Sequence, residues 1–205
     1  MKYDNNLVSV IVNCYNGEKY LKKSIQSILS QTYEKFEIIF WDNNSTDNSK
    51  KVIEEFKDTR IKYYKSEKYL KLYNARNLAI QKANGKFITF LDTDDWWDEN
   101  KLQKQISLFS NNKDIGFIYT NFFIYNEFKN KKKKFFNGLL PSGYITQDLL
   151  DYYRIGILTV MVKKDIFKKE KFNEKFEIIG DFDFFIKISQ KFKTLSIQEP
   201  LASYR

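Results

Sequence analysis

The sequence predicts an α/β fold, a mostly parallel sheet with helices on both faces. Three observations predict it. Short apolar strands alternate with amphipathic helical segments through the first half of the chain, the order that produces a parallel sheet. Three of those strands end in loops rich in Asn, Asp and Gly. The 205 residues are 42% hydrophobic, enough for one sizeable core. No internal repeat and no Pro- or Gly-rich linker interrupts them, so residues 1–205 read as a single domain.

The opening residues 1–6 are polar and lead into a strand at 7–12, so no signal peptide is expected. The turn-rich Asn13-Cys14-Tyr15-Asn16-Gly17 follows. Residues 18–29 carry Leu21, Ile25, Ile28 and Leu29 at helical spacing. Residues 36–41 form the next strand, ending at the polar stretch 42–47, which can cap a helix whose buried face is Val52, Ile53 and Phe56. Residues 61–64 are a third strand. Residues 74–83 are helical, with Ala75, Leu78, Ala79 and Ala83 inward, and Gly85 is expected to stop that helix as a C-terminal glycine. Residues 87–91 are a fourth strand, and a helix at 100–109 follows Asp92-Thr93-Asp94-Asp95.

The second half is less regular. Residues 115–125 read as a strand and Lys131 to Lys134 as a solvated hairpin tip. A helix is expected near 147–153, a strand at 158–162 and a helix at 181–192 with Phe184, Phe185, Ile188 and Phe192 on one side. No apolar run approaches the roughly 18–20 residues needed to span a bilayer.

Composition excludes several chemistries. The chain has no histidine, so neither a Ser-His-Asp nor a Cys-His mechanism is available, and a general base must be a carboxylate, Lys or Tyr. Cys14 is the only cysteine, which excludes an intramolecular disulfide and fits a reducing cytoplasm. The net charge of +9 favours anionic partners, whether nucleotide diphosphates, acidic lipid headgroups or nucleic acid, and is also common on intracellular enzymes. Nucleic-acid binding would need an organised basic stripe, and the lysines are scattered apart from Lys131 to Lys134. That run lies among Phe128, Phe135 and Phe136. It reads either as a flexible surface hairpin or as a contact for an anionic membrane face.

Ligands of such sheets sit beyond the carboxyl ends of the strands. Three features stand there. Asp92, Asp94 and Asp95 repel one another unless a cation neutralises them, and their oxygen-only donor set suits Mg²⁺ or Mn²⁺. A solvated acidic turn capping the next helix explains the local spacing equally well. Asp42 can accept a hydrogen bond from a base N–H, or serve a turn. Asp181, flanked by aromatics at a helix start, can be a base or an N-cap.

Taken together these pieces carry a resemblance. Val8 to Val12, Tyr15-Asn16-Gly17-Glu18, Leu29 to Tyr33, Phe36 to Ile39, Asp42 to Asp47, Ala75-Arg76-Asn77 and Gly85 to Asp95 stand in the order and spacing of one family. Residues 7–97 resemble the nucleotide-binding half of the inverting GT-A glycosyltransferases of family 2, of the bacterial polysaccharide and lipooligosaccharide type. The resemblance implies a Rossmann-like GT-A fold with residues 1–97 as nucleotide-binding half and 98–205 as acceptor-side half, the latter carrying a small antiparallel part. It implies a metal-dependent, hexosyltransferase-type enzyme that moves a sugar from a UDP-sugar to a hydroxyl of a saccharide or lipid-linked acceptor in cell-surface glycan biosynthesis. Asp42 matches the aspartate that reads uracil, and Arg76 an arginine near the base and phosphates. Residues 92–95 match the DxD-type motif, with ribose on Asp94, Mn²⁺ or Mg²⁺ on Asp95 with Asp94, and Asp92 in support. Tyr15, Asn16, Glu18 and Asn44 line the nucleotide pocket.

The second half matches more loosely. Residues 155–167 resemble the segment behind the donor sugar, and 178–189 the helix with the catalytic base, usually preceded by Glu. Gly180 replaces that Glu, and Asp181 is the expected base. Residues 198–205 resemble the ending of the family core, past which many relatives continue. The rival readings are a sugar nucleotidyltransferase, which usually has a glycine-rich first loop, a glycoside hydrolase, and a GT-A binding protein that has lost catalysis, motivated by Gly180. Acceptor-dependent release of nucleotide diphosphate separates transfer from the nucleotidyltransferase and the glycoside hydrolase. A cytoplasmic enzyme, peripheral at the inner face of the membrane, is the expected location.

Overall fold

The computed structural model describes residues 6–205, so all of the polar opening except Asn6 lies outside the described residues. The sheet is built outward from β1 (Val8–Cys14), which is buried along nearly its whole length. Successive side chains of a strand point to opposite faces. Val8, Val10, Val12 and Cys14 accordingly enter one core and Ile11 the other. β2 (Phe36–Asp42) divides likewise, with Phe36, Ile38 and Phe40 on one side and Ile39 and Trp41 on the other. Strands apolar on both faces require helices on both faces. α1 (Glu18–Leu29), α2 (Ser49–Glu55) and α4 (Lys101–Asn111) cover one face. α3 (Leu72–Lys82), α5 (Thr146–Asp151) and α6 (Gly180–Ser189) cover the other.

With β3 (Ile61–Lys65) and β4 (Phe87–Phe90), β1 and β2 make the parallel part, in the order β3-β2-β1-β4. Beyond β4 the sheet becomes mixed. β8 (Met161–Lys163) runs antiparallel to β4 and to β6 (Ile115–Asn126). β9 (Lys193–Tyr204) lies parallel to β6, and β5 (Trp96–Trp97) antiparallel to β9.

Several details correct the sequence reading. Residues 193–204 were not expected to be one long strand. β9 shifts register against β6 at three places, so no period-two pattern survives along it. The lysine run is not a hairpin tip. It forms β7 (Lys131–Lys134), paired with residues 123–126. The turn lies at 127–130, where Asn126 Oδ1 accepts the Lys129 N–H at 2.9 Å and Asn130 takes a φ of 46°. The strand expected at 158–162 begins at Met161, because Ile157–Thr159 forms a 3-10 turn. Gly85 is not a left-handed cap, since α3 ends at Lys82 with Ala83 extended. Gly85 instead lets the chain press on β1: a Cβ there would lie 2.6 Å from Ser9 N.

At the amino end of the sheet, Glu37 ties four segments together. Its buried carboxylate accepts from Ser9 Oγ of β1 (2.6 Å), Lys62 Nζ of β3 (2.5 Å), and Asn84 N (2.6 Å) and Nδ2 (3.2 Å) before β4. Burial alone would raise its pKa. The Lys62 pair and the hydrogen bonds from Ser9 and Asn84 outweigh that and bring it from 4.5 to about 2. A carboxyl depressed in this way stabilises the fold fully above its unfolded pKa. The contribution fades as pH falls from 4.5 toward about 2. Glu37→Gln is therefore expected to cost about 1–3 kcal/mol at neutral pH, with the gap to wild type closing through that acid window. Denaturant unfolding as a function of pH measures both.

Candidate active site

The first three strands end level with one another, Cys14 opposite Asp42 and Asp42 opposite Lys65. Beside them, Leu91 N just past β4 donates to Ile11 O at 3.0 Å. The loops that follow, 15–17, 43–48, 66–71 and 91–95, therefore leave the sheet along its carboxyl edge.

Asp42 is buried where β2 ends. Its Oδ1 accepts the Ser45 N–H at 2.7 Å, and its Oδ2 accepts the Tyr63 hydroxyl at 2.6 Å. Burial, and then that hydrogen bond, push the Tyr63 pKa well up. Asn43 exchanges hydrogen bonds with the Leu70 backbone, and Asn44 sits in the left-handed region at φ 64°. Asn16 (φ 51°) accepts the Thr46 N–H at 2.9 Å, and Glu18 accepts from Asn48 N (3.0 Å) and Nδ2 (2.9 Å). The side chains of Asn16 and Glu18 thus brace the loop that follows Asp42. Tyr15 is half exposed and tilts against Tyr69, ring centroids 4.6 Å apart. Beside them lies a cavity of about 90 Å³ lined by Asn13, Tyr15, Asn43, Tyr69, Leu72 and Ala75. Asn13 contributes a buried Nδ2 with no partner among the described residues.

The acidic loop is held from two sides. Arg76, buried in α3, donates Nη2 to both oxygens of Asp92, at 2.8 and 3.0 Å. On the other side stands Arg205, which the sequence reading had not singled out. Its backbone N donates to Asp95 Oδ1 at 3.0 Å and its Nε to the Asp94 carbonyl at 3.0 Å. Its Nη1 reaches Glu127 at 3.1 Å, and its guanidinium lies 4.1 Å from the Tyr20 ring centroid. Arg205 is 110 residues from Asp95, so no local spacing could reveal the pair. Burial, then the charge of Asp92, raise the pKa of Asp94, and the same causes push Asp95 up to about 8.

Among the described residues no three Asp, Glu or Cys side chains converge closely enough to hold a cation alone. Asp94 and Asp95 do fit one as partial ligands. They are hard oxygen donors, and Asp95 Oδ2 is buried with no hydrogen-bond partner. Mg²⁺ and Mn²⁺ take their remaining ligands from water and phosphate oxygens.

Asp181 lies in the first turn of α6, on the second half of the chain. Its Oδ1 accepts the Phe182 N–H at 2.9 Å and lies 3.4 Å from the Tyr73 hydroxyl. Burial raises its pKa, while the Phe182 N–H and the charge of Arg76 oppose the rise. The Tyr153 hydroxyl is buried without a partner among the described residues, and after burial the charge of Asp181 is the next cause raising its pKa. Arg76 thus joins the two halves: it is bonded to Asp92 and within electrostatic reach of Asp181. Neither Tyr73 nor Tyr153 carries a sequence signal beyond an apolar helical face.

The model of the family described as "Glycosyl transferase family 2" matches residues 9–185, a span that holds Asp42, Arg76, the acidic loop and Asp181. The chain belongs to this family. It is 38% identical to an uncharacterized glycosyltransferase of Methanocaldococcus jannaschii, over 98% of this chain and 71% of that one. It is 39% identical to the Escherichia coli UDP-Glc:alpha-D-GlcNAc-diphosphoundecaprenol beta-1,3-glucosyltransferase WfgD, over 80% of this chain and 62% of that one. Among solved structures, S. aureus TarS in complex with UDP-GlcNAc superimposes with a TM-score of 0.77 at 18% identity, over 96% of this chain and 58% of that one. The mannosyltransferase PcManGT from Pyrobaculum calidifontis in complex with GDP-Man and Mn²⁺ gives 0.71 at 15% identity, over 96% and 56%. These likenesses show the GT-A fold. The chain spans about six-tenths of the length of WfgD and TarS. No helix among the described residues is long and apolar enough to cross a membrane.

The Arg76–Asp92 pair gives a stability test. Arg76→Met is expected to lower stability by about 2 kcal/mol, because it removes charged hydrogen bonds and leaves Asp92 without its partner. Asp92→Asn in that background should recover part of the loss. Chemical denaturation of the complete double-mutant cycle measures the coupling.

Proposed function

We propose that this chain transfers a sugar from a UDP-sugar to a hydroxyl of a saccharide or lipid-linked acceptor in cell-surface polysaccharide synthesis, inverting the anomeric centre. The observation that carries the reading is the buried Arg76, which bonds Asp92 of the acidic loop and whose charge reaches Asp181. In this reading one guanidinium serves both a diphosphate site and a proton acceptor. WfgD, by its name, takes glucose from UDP-Glc to a diphosphoundecaprenol-linked GlcNAc, which supports this donor and acceptor class.

In this reading Asp42 accepts an N–H of the uracil through a free lone pair. Tyr15 and Tyr69 offer ring surface to the base. Asp94 takes the ribose, and Asp94 with Asp95 would hold Mn²⁺ or Mg²⁺. When bound, the cation supplies positive charge that stabilises the departing diphosphate. The acceptor oxygen forms its bond to the anomeric carbon as the bond to the diphosphate breaks. The bonding pair leaves with UDP, and Asp181 takes the hydroxyl proton. Burial raises its proton affinity toward what a general base needs.

Calorimetric titration of UDP is expected to show binding with Mn²⁺ that chelator weakens and Asp95→Ala abolishes. Asp181→Asn should bind UDP as wild type does and lose transfer by at least about 10²-fold. Full transfer by Asp181→Asn would remove it as the base.

The hairpin between β6 and β7 supports a peripheral place at the cytoplasmic face of an anionic membrane. Phe128 is fully exposed at its turn, beside Lys129 and the exposed lysines of β7. Glu127 in the same turn bonds Arg205, which also bonds Asp95, so the hairpin stands next to the acidic loop. Lysines on an edge strand also block strand pairing between molecules, a role that needs no membrane. Flotation with acidic liposomes separates the two. Wild type should float, and a variant with Lys131, Lys132, Lys133 and Lys134 all changed to Ser should not. Equal flotation would leave the edge-guarding role alone.

A further inference from the structure

Tyr73 and Gly180 compete for one space. A Cβ on Gly180 would lie 2.5 to 2.7 Å from three ring carbons of Tyr73, closer than real Cβ atoms approach any neighbour. The ring has little room to withdraw. It is 1% exposed, its centroid lies 5.7 Å from that of Phe172, and its hydroxyl donates to the Ile178 carbonyl at 2.6 Å. The same hydroxyl lies 3.4 Å from Asp181 Oδ1. The phenol therefore passes through the volume that a side chain at 180 would take, and touches both the carbonyl before α6 and the carboxylate in its first turn.

We propose that Tyr73 is a positioning residue for Asp181: its single O–H, shared between the Ile178 carbonyl and Asp181 Oδ1, aims the carboxylate and favours its charged form. Gly180 is the condition for this arrangement, because any larger residue displaces the ring. The catalytic consequence rests on the reading of Asp181 as the base, but the contact does not. Other groups face the carboxylate as well. Arg76 comes from α3, Tyr153 from the segment after α5, and the Phe182 N–H from α6 itself. Arg76 and the Phe182 N–H favour ionisation as Tyr73 does, whereas burial opposes it. The phenol therefore supplies one increment among several, and it can be removed without removing the ring.

The test needs no substrate. Aspartate labelled with ¹³C at the side-chain carboxyl is incorporated into the protein, and the Asp181 resonance is assigned by its loss in Asp181→Asn. Tyr73→Phe is expected to raise the Asp181 titration midpoint by about half to one pH unit. An unchanged or lowered midpoint overturns the proposal. A second measurement tests the shared space. Gly180→Ala should lower the thermal unfolding temperature of the wild type, and should lower it much less in a Tyr73→Ala background. Equal drops in both backgrounds would show that the ring and the glycine are independent. Transfer activity is scored separately. An active Asp181→Asn would end the base assignment and leave the Tyr73 contact standing, whereas an unmoved midpoint beside an inactive Asp181→Asn would overturn the contact alone.

Discussion

A guanidinium buried in a protein interior cannot shed its charge, so carboxylates must be brought to it. Arg76 imposes that constraint here. It projects from α3 on one face of the sheet and draws Asp92 in from the loop after β4. Its charge also reaches Asp181 at the start of α6. The parallel half of the sheet and the irregular second half also meet through the β4–β8 ladder and bonds such as that from Asn77 to the Phe172 carbonyl, and Arg76 adds a charge felt on both sides. The hydrogen bonds from Arg76 to Asp92 have narrow limits of distance and angle.

The two edges of the sheet contrast. At the amino edge, Glu37 is buried with hydrogen bonds to both oxygens, and the segments it joins are locked. At the carboxyl edge, Asn13 Nδ2, Asp95 Oδ2 and the Tyr153 hydroxyl are buried without partners among the described residues. Each such group costs stability unless something binds it. Natural sequences depart from local consistency mainly at functional sites, and Asn13, Trp41 and Asp95 depart where the strands end.

Much of the parallel half was legible because its signals are local. Apolar runs at 7–12, 36–41 and 87–91 and the helical spacing of Leu21, Ile25 and Ile28 reappear as β1, β2, β4 and α1, with shifts of a residue or two. The positions of Asp42 and Asp92 to Asp95 followed from the strand ends, and Arg76 from the family resemblance. What stayed hidden depends on distant partners. β9 changes register along its length, and Arg205, which follows it, meets the acidic loop only in three dimensions. Gly180 looked like a lost carboxylate in sequence. In the fold it is the space that Tyr73 fills, a relation between residues that no window of sequence contains.

The clamp made by Arg205 has a bearing on synthesis. Domains take shape as the chain emerges, amino end first. The strands β1 to β4 of the parallel half are complete once β4 has formed, and Arg76 of α3 can meet Asp92 at that stage. Asp95 and the Asp94 carbonyl must wait for residue 205, which is added 110 residues after Asp95. During translation the acidic loop is therefore held on one side only, so the site is finished later than the scaffold that carries it.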